Sequence, residues 1–365
     1  MTDRTYLPDA VDVQAIHRVL VTKLRHHGDV LLASPVFQVL KNRGPHLEID
    51  ALIYEDTQEM LTGHPAIAQV HTIDRDWKKQ GRGEQLRREW QLLRQLQARQ
   101  FDLLIHLTES SRGAVLAHLL GPRYSVARQR PDYGWLWRAS FSHLYPAPRS
   151  RPRHTVELNL DALRRLGIQP TAEERRLILV PGKDAETKIS DLLAKHGLAP
   201  KGFIHLHPTS RWFFKTWPVE HVAELIDALH AQGERVVLTS APDERERSMI
   251  GGILARTKAP IVDVSGQLSL SLLAALTARA KLFVGVDSAP MHIAAAMRTP
   301  TVALFGPSGD LEWGPWMVPH RTITSDHTCR PCGNDGCGGG KVSECLTTLP
   351  VASVLSAANE LLGMQ

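Results

Sequence analysis

A chain of 365 residues is longer than one ordinary hydrophobic core covers, so two domains of about 150 to 200 residues are expected. Charged residues at 22% and hydrophobic residues at 43% are the mix of a folded globular protein and exclude extensive disorder. The formal charge of +5 favours acidic ligands such as phosphates, nucleic acid or an anionic membrane face, without choosing among them. No apolar run reaches the roughly 18 residues of a spanning helix, and MTDRTYLPDAVDV lacks the basic-then-apolar layout of a signal peptide, so a cytoplasmic location is expected.

In chain order, apolar β-branched runs alternate with helix-length amphipathic stretches, the pattern of parallel α/β units. Residues 17–24, 47–54, 69–74 and 101–107 predict the strands of a first sheet, with helices between them. The segment 166–202 is rich in proline, glycine and charge, and predicts a short strand, a helix and the connection between domains. Residues 203–208, 235–241, 261–266, 282–287 and 301–306 then predict a second doubly wound sheet. After Pro350 the spacing of Val, Leu and Ala predicts a closing helix. Domains are therefore expected at 1–172 and 173–349.

Ligands of open parallel sheets bind beyond the carboxyl ends of the strands, where a loop meets the start of a helix. Neither a G-x-G-x-x-G after a strand nor a G-x-x-x-x-G-K-[ST] occurs, so a dinucleotide fingerprint and a P-loop are both unsupported. In HPTSRWFFKTWP (207–218), Thr209, Ser210, loop amides and Lys215 converge on a helix that Pro218 can open, which suits a diphosphate clamp. The competing reading has Thr209 or Ser210 capping a turn and Lys215 solvated, with Trp212, Phe213 and Phe214 packing or forming a rim. In VGVDSAPMHIAAAM (284–297), Asp287 ends a strand and suits sugar hydroxyls, while His292 falls in the first turn of the next helix. There it either meets a phosphate or sugar hydroxyl or simply packs. In LRHHGDVLLASP (24–35), Asp29 reads as a helix N-cap; capping would lower its pKa, and His26 or His27 could then contend as a base.

HPTSR through KTWP, then LTSAPDE, then GQLSLSLLAALTARAKLFVGVDSAPMHIAAAMRTPTVALFGPS resemble the donor domain of glycosyltransferase family 9, the ADP-heptose:lipopolysaccharide heptosyltransferases. LVTKLRHHGDVLLASPVFQVLK resembles the amino-terminal signature of that family. Within it, TKLRHHGDVLL, HPTSRWFFK and CRPCGNDGCGGGKVSECLTTL most resemble the core heptosyltransferase III branch.

The resemblance implies an α/β fold of GT-B architecture: two Rossmann-like, doubly wound parallel-sheet domains facing a cleft, with a last helix at about 350–365 packing back on the first. It implies metal-independent, inverting transfer of L-glycero-D-manno-heptose from ADP-heptose to a heptose of the lipopolysaccharide inner core. By position, Thr209, Ser210 and Lys215 would bind the diphosphate. Asp287, Ser288, Ala289 and His292 would line the donor pocket, Asp243 or Glu244 would meet the adenosine ribose, and Asp29 would be the base. Arg25, His26, His27, Arg112, Arg128, Arg130 and Arg153 are candidate acceptor contacts, although each arginine taken alone reads as a solvated surface residue. Partners would be the ADP-heptose donor and the inner-core acceptor, with no nucleic acid, peripheral contact with the cytoplasmic face of the inner membrane, and a monomeric chain.

Two positions depart from the family pattern. Trp212 to Phe214 are bulky where glycines are commoner, and the usual D-S-G-P reads Asp287-Ser288-Ala289-Pro290, so that Ala289 lacks glycine's ease at positive φ. Cys329, Cys332, Cys337 and Cys345 have a spacing that suits a structural zinc, but the metal-independent chemistry of the family favours free thiols or a disulfide. Asp74-Arg75-Asp76 is a D-x-D as in metal-dependent transferases, yet it lies in the wrong domain for the donor. Heptosyltransferase I or II type activity is the near alternative. A non-catalytic sugar-nucleotide binder would keep Lys215 and Asp287 without needing Asp29, and a nucleic-acid-binding protein would leave the two α/β halves unexplained.

Overall fold

The structure, a computed structural model, describes residues 7–130, 132–146 and 152–364 and divides into two compact units, Met1–Ile178 and Leu179–Gln365. The first unit runs β1 (Arg18–Thr22), α1 (His27–Leu31), α2 (Ser34–Arg43), β2 (Glu48–Tyr54), β3 (Gln69–Ile73), α3 (Arg82–Ala98), β4 (Leu103–His106), α4 (Ser111–Leu120), β5 (Tyr124–Arg128), α5 (Trp135–Ser140), β6 (His143–Tyr145) and α6 (Thr155–Arg165). All its strand pairs are parallel, in the order β3-β2-β1-β4-β5-β6.

The second unit runs α7 (Lys183–Lys195), β7 (Ile204–His207), α8 (Val219–Ala231), β8 (Val236–Leu238), α9 (Glu244–Leu254), β9 (Val262–Asp263), α10 (Leu270–Arg279), β10 (Leu282–Val286), α11 (Ala289–Ala296), β11 (Thr301–Leu304), α12 (Asp310–Trp313), β12 (His320–Ile323), α13 (Glu344–Thr347) and α14 (Val351–Gly363). Its parallel order, β12-β11-β10-β7-β8-β9, repeats that of the first unit strand for strand. Two doubly wound sheets of one topology therefore stand in one chain.

The central strands are continuous apolar runs because helices cover both faces of a parallel sheet. Val19, Leu20 and Val21 of β1 and Leu103, Leu104 and Ile105 of β4 are fully buried, as are Ile204 of β7 and Leu282 and Phe283 of β10. Three strands lack that pattern and do not stand out in the sequence: β5 (YSVAR) carries Ser125 at its second position and ends in arginine, β6 has three residues, and β12 (HRTI) is nowhere fully buried.

Three expectations are corrected. The segment 166–202 holds α7 but no strand: at its extended residues the amide of Ile178 donates to Ser34 Oγ at 2.9 Å instead of to a strand. The boundary falls after Ile178 rather than after residue 172, because Glu174 accepts from Asn42 and Arg43 of α2 and so ties the intervening stretch to the first unit. The closing helix α14 belongs to the second unit, where it packs on α8, β10, β11 and β12 and sends Val354, Ala358 and Leu361 into the core. Its apolar stripe completes the uncovered side of that sheet.

Candidate active site

In a sheet of this order, sequence neighbours part company at the switch point, between β1 and β4 in the first unit and between β7 and β10 in the second. The loops leaving those strands diverge and open a crevice for a ligand.

At the first switch point, Lys23 follows β1 and is buried, with Nζ donating to Leu107 O and Asn159 Oδ1, both at 3.1 Å. Burial pushes its ammonium down to about 8, against the pull of the Asp29 and Glu109 carboxylates. The amide of Leu24 donates to Thr108 Oγ1 at 2.7 Å, which fixes the β1 loop to the β4 loop. One turn on, α1 begins at His27, and His26 rather than Asp29 takes the cap position. The expected competition between cap and base at Asp29 therefore does not arise. Its carboxylate lies in the first turn, largely covered, with Arg25 Nε 3.6 Å from Oδ1.

His27 Nε2 stands 2.8 Å from the carbonyl oxygen of Asp56, and Arg75 joins the same rim by donating to Arg25 O at 2.7 Å and to Asp56 Oδ1 at 3.1 Å. Asp74 accepts from the amide of Asp76, and Asp76 pairs with Lys79, so the D-x-D carboxylates serve as a turn cap and a surface pair. Arg128 and Arg130 grip the two oxygens of Glu109 at 2.6 and 2.5 Å after β5 and β4. Arg112 makes a two-bond pair with Glu89, both at 2.7 Å, and Arg153 is held by Asp161 on α6 at 2.6 and 3.0 Å. The sheet thus gathers Lys23, Arg25, Asp29, Glu109, Arg128 and Arg130 at its carboxyl edge, while Arg112 and Arg153 are already engaged on helices.

The second switch point is bridged directly. Lys215, in the loop after β7, donates to Asp287 at the end of β10 across 2.5 Å, with Asp287 buried. Ser288 takes the N-cap position of α11 without a side-chain cap bond, its hydroxyl donating instead to Val286 O at 3.3 Å, and Pro290 follows in the first turn. Ala289 begins that helix and is absent from the residues with positive φ, so alanine in place of glycine strains nothing there. His292 is buried in the same first turn.

Beneath the β7 loop a chain of polar groups runs through the core. Thr277 Oγ1 is 3.0 Å from His205 Nδ1, His205 Nε2 is 2.7 Å from Thr239 Oγ1, and that hydroxyl is 2.8 Å from His207 Nδ1. Thr209 Oγ1 then donates to Glu246 Oε2 at 2.7 Å, and the amide of Ala241 donates to the same oxygen at 3.0 Å. Burial pushes His207 down to about 3 and His205 well below the ordinary range, so both are neutral at pH 7.

Asp243 caps α9 through the amides of Arg245 and Glu246, and Glu244 opens that helix. Ser210 Oγ accepts from the amide of Trp212, while Phe214 is buried and its carbonyl accepts from Ser343 Oγ at 2.6 Å. Of the bulky stretch, Phe214 packs inward beside Lys215, Phe213 is half-buried and Trp212 stays exposed at the rim.

Sequence reasoning missed Lys23, whose signal was a lone cation directly after an apolar strand. It also missed Glu246, an acid in the first turn of α9 two positions beyond those considered. The four cysteines are free thiols, Cys345 buried and Cys329, Cys332 and Cys337 exposed. Among the described residues no three His, Cys, Asp or Glu side chains converge as a metal site, and no helix is long and apolar enough to cross a membrane.

Two Rossmann-like sheets of one order, each with a lysine spanning its switch point, have the architecture of the GT-B class of glycosyl-transferring enzymes. The model of glycosyltransferase family 9 (heptosyltransferase) matches residues 89–342. Lipopolysaccharide heptosyltransferase 3 of Escherichia coli is 33% identical over 347 residues, covering 93% of this chain and 97% of the relative. A family 9 glycosyltransferase of Veillonella parvula superposes with a TM-score of 0.83 at 23% identity, covering 98% of this chain and all of the other. The ADP-heptose lps heptosyltransferase II of E. coli superposes with a TM-score of 0.74 at 21% identity, covering 95% and 99%. The chain belongs to glycosyltransferase family 9 and is a glycosyltransferase.

Proposed function

We propose that the protein transfers L-glycero-D-manno-heptose from ADP-heptose to a heptose of the lipopolysaccharide inner core, as a heptosyltransferase of type III. The observation that carries the donor half is the Lys215–Asp287 pair at the second switch point. A lysine already held at the mouth of the crevice can turn to an incoming diphosphate, and the carboxylate it leaves can take sugar hydroxyls. In this reading Ser210, Ser288 and Ala289 complete the donor pocket, Thr209 joins them once its hydroxyl leaves Glu246, and Asp243 or Glu244 takes the adenosine ribose. The similarity to lipopolysaccharide heptosyltransferase 3 over nearly the whole chain supports the type III acceptor.

Inversion needs a base on the acceptor hydroxyl and a sink for the leaving diphosphate. Asp29 takes the hydroxyl proton, the oxygen forms the new bond to the anomeric carbon, and the bond from that carbon to the diphosphate oxygen breaks. Lys215, His292 and the amino end of α11 receive the charge that develops on ADP. Lys23 lies close enough for charge coupling with Asp29, and Arg25, His26, His27, Arg128 and Arg130 meet the acceptor, with Arg112 and Arg153 further contacts once they exchange their present partners. The chain works without a metal, as a monomer, at the cytoplasmic face of the inner membrane.

The test is to incubate the purified protein with ADP-heptose and truncated core oligosaccharide in the presence of EDTA. A mass gain of one heptose per acceptor, with release of ADP, is the expected result. Binding of ADP-heptose with no transfer would leave a sugar-nucleotide binder instead.

A further inference from the structure

The reaction leaves one face of the first unit unused. α3 and α4 lie side by side and point the same way: Glu89 pairs with Arg112, and further along Gln97 Nε2 donates to Leu119 O at 3.0 Å. α5 runs beside α4 in the same direction, since Tyr133 OH donates to Glu109 O at 3.2 Å and Ser140 Oγ is 3.0 Å from His118 Nε2.

On the outside of this layer six large apolar side chains stand in solvent: Leu86 (70% exposed), Trp90 (59%), Val115 (52%), Leu119 (47%), Trp135 (77%) and Leu136 (56%). Leu86 and Trp90, like Val115 and Leu119, are four apart and so share a stripe of their helix. The alignment of the helices sets Trp90 on one side of the Arg112–Val115 turn and Trp135 with Leu136 on the other. The six therefore form one band across three helices, larger than the scattered apolar residues a soluble surface normally shows.

The same three helices carry Arg82, Arg87, Arg88, Arg94, Arg112 and Arg138 against only Glu84 and Glu89. Both glutamates are taken, Glu84 by Arg87 and Arg88 and Glu89 by Arg112. Tryptophans among arginines are the composition of a surface that lies in the headgroup layer, with the rings at the boundary and the guanidinium groups on the phosphates. A second copy of the chain would bring the same arginines face to face in a two-fold contact, which disfavours it as the occupant.

We propose that this α3–α4–α5 face docks on an anionic lipid bilayer, with Trp90 and Trp135 in the headgroup layer and Arg94 and Arg138 on lipid phosphates. The docking rests on the proposed function for one point, that the acceptor is a membrane glycolipid.

The experiment is co-sedimentation of the full chain with vesicles of phosphatidylglycerol mixed with phosphatidylcholine, and with vesicles of phosphatidylcholine alone. Wild type is expected to sediment with the mixed vesicles and much less with the neutral ones. The exposed double variant Trp90→Glu/Trp135→Glu, and separately Arg94→Glu/Arg138→Glu, should lose about ten-fold or more of that binding. Both should still transfer heptose to a water-soluble core oligosaccharide. A wild type that stays in solution with the mixed vesicles overturns the docking, as does a double variant that binds like wild type. So does a wild-type dimer that Trp90→Glu/Trp135→Glu dissociates, which would make a second copy the occupant. Failure of wild type to transfer heptose to the soluble acceptor counts against the proposed function and leaves the vesicle result standing.

Discussion

Lys23, directly after β1, and Lys215, further along the loop after β7, each cross the switch point of their sheet, yet their environments give them different work. Lys215 is half-buried beside one carboxylate, and Lys215→Met leaves Asp287 a covered charge without its partner. Its affinity for ADP should fall by about ten-fold or more, read by calorimetry. Glu246→Ala removes the oxygen that both Thr209 Oγ1 and the Ala241 amide donate to, at about 1–3 kcal/mol for each donor left unmade. Because this displaces the donor loop rather than a reacting group, KM for ADP-heptose should rise more than kcat falls; equal effects would contradict the positioning role. These residues also mark how far the site was legible. Lys215, Asp287 and Asp29 stand in motifs, whereas Glu246 acts through a contact 37 positions away in sequence that no local pattern encodes.

The elements show where packing fixes what pattern leaves open. α4 lies so close to β4 that a Cβ on Gly113 would stand 2.2 Å from the His106 ring. That ring cannot yield, being 2.6 Å from Thr22 Oγ1 and stacked on Phe141. Gly113→Ala should therefore lower stability by about 1–3 kcal/mol in urea unfolding. Leu361→Ala in α14 should cost about 2–5 kcal/mol, felt in the second unit whose core it enters. The central strands and α14 itself were legible from their apolar periodicity. β5, β6 and β12 were not, because a short strand near the end of a sheet needs little apolar character. The partner of α14 was equally hidden: an apolar stripe states that a helix packs but not on which sheet.

At the scale of the whole molecule, burial keeps His64, His106, His205 and His207 uncharged near pH 7. His64 is pushed down to about 4, His106 and His207 to about 3, and His205 lower than the ordinary range. Each binds a proton more readily unfolded than folded below about pH 6.5, so stability rises with pH through this window and is lost as pH falls toward 4. Four such uptakes set a limiting slope of about 5 kcal/mol per pH unit. The urea midpoint should drop clearly between about pH 7 and pH 5; a flat midpoint would mean that these rings are hydrated. Lys23 acts in the same sense at the alkaline end: its stabilising contribution, taken as wild type minus Lys23→Met, should grow from about 8 toward 10.5.

The two-sheet plan was legible in the alternation of apolar runs with helix-length stretches, and the family in the motifs that follow the strands. In the proposed reaction the two units divide the chemistry, with the base on the first and the donor on the second. Asp29→Ala tests it in one comparison with wild type, measuring heptose transfer and ADP-heptose binding on the same preparations. Transfer lost at least about a thousand-fold with donor affinity within about two-fold of wild type is the predicted result. Substantial residual transfer, or donor binding lost together with transfer, would contradict it.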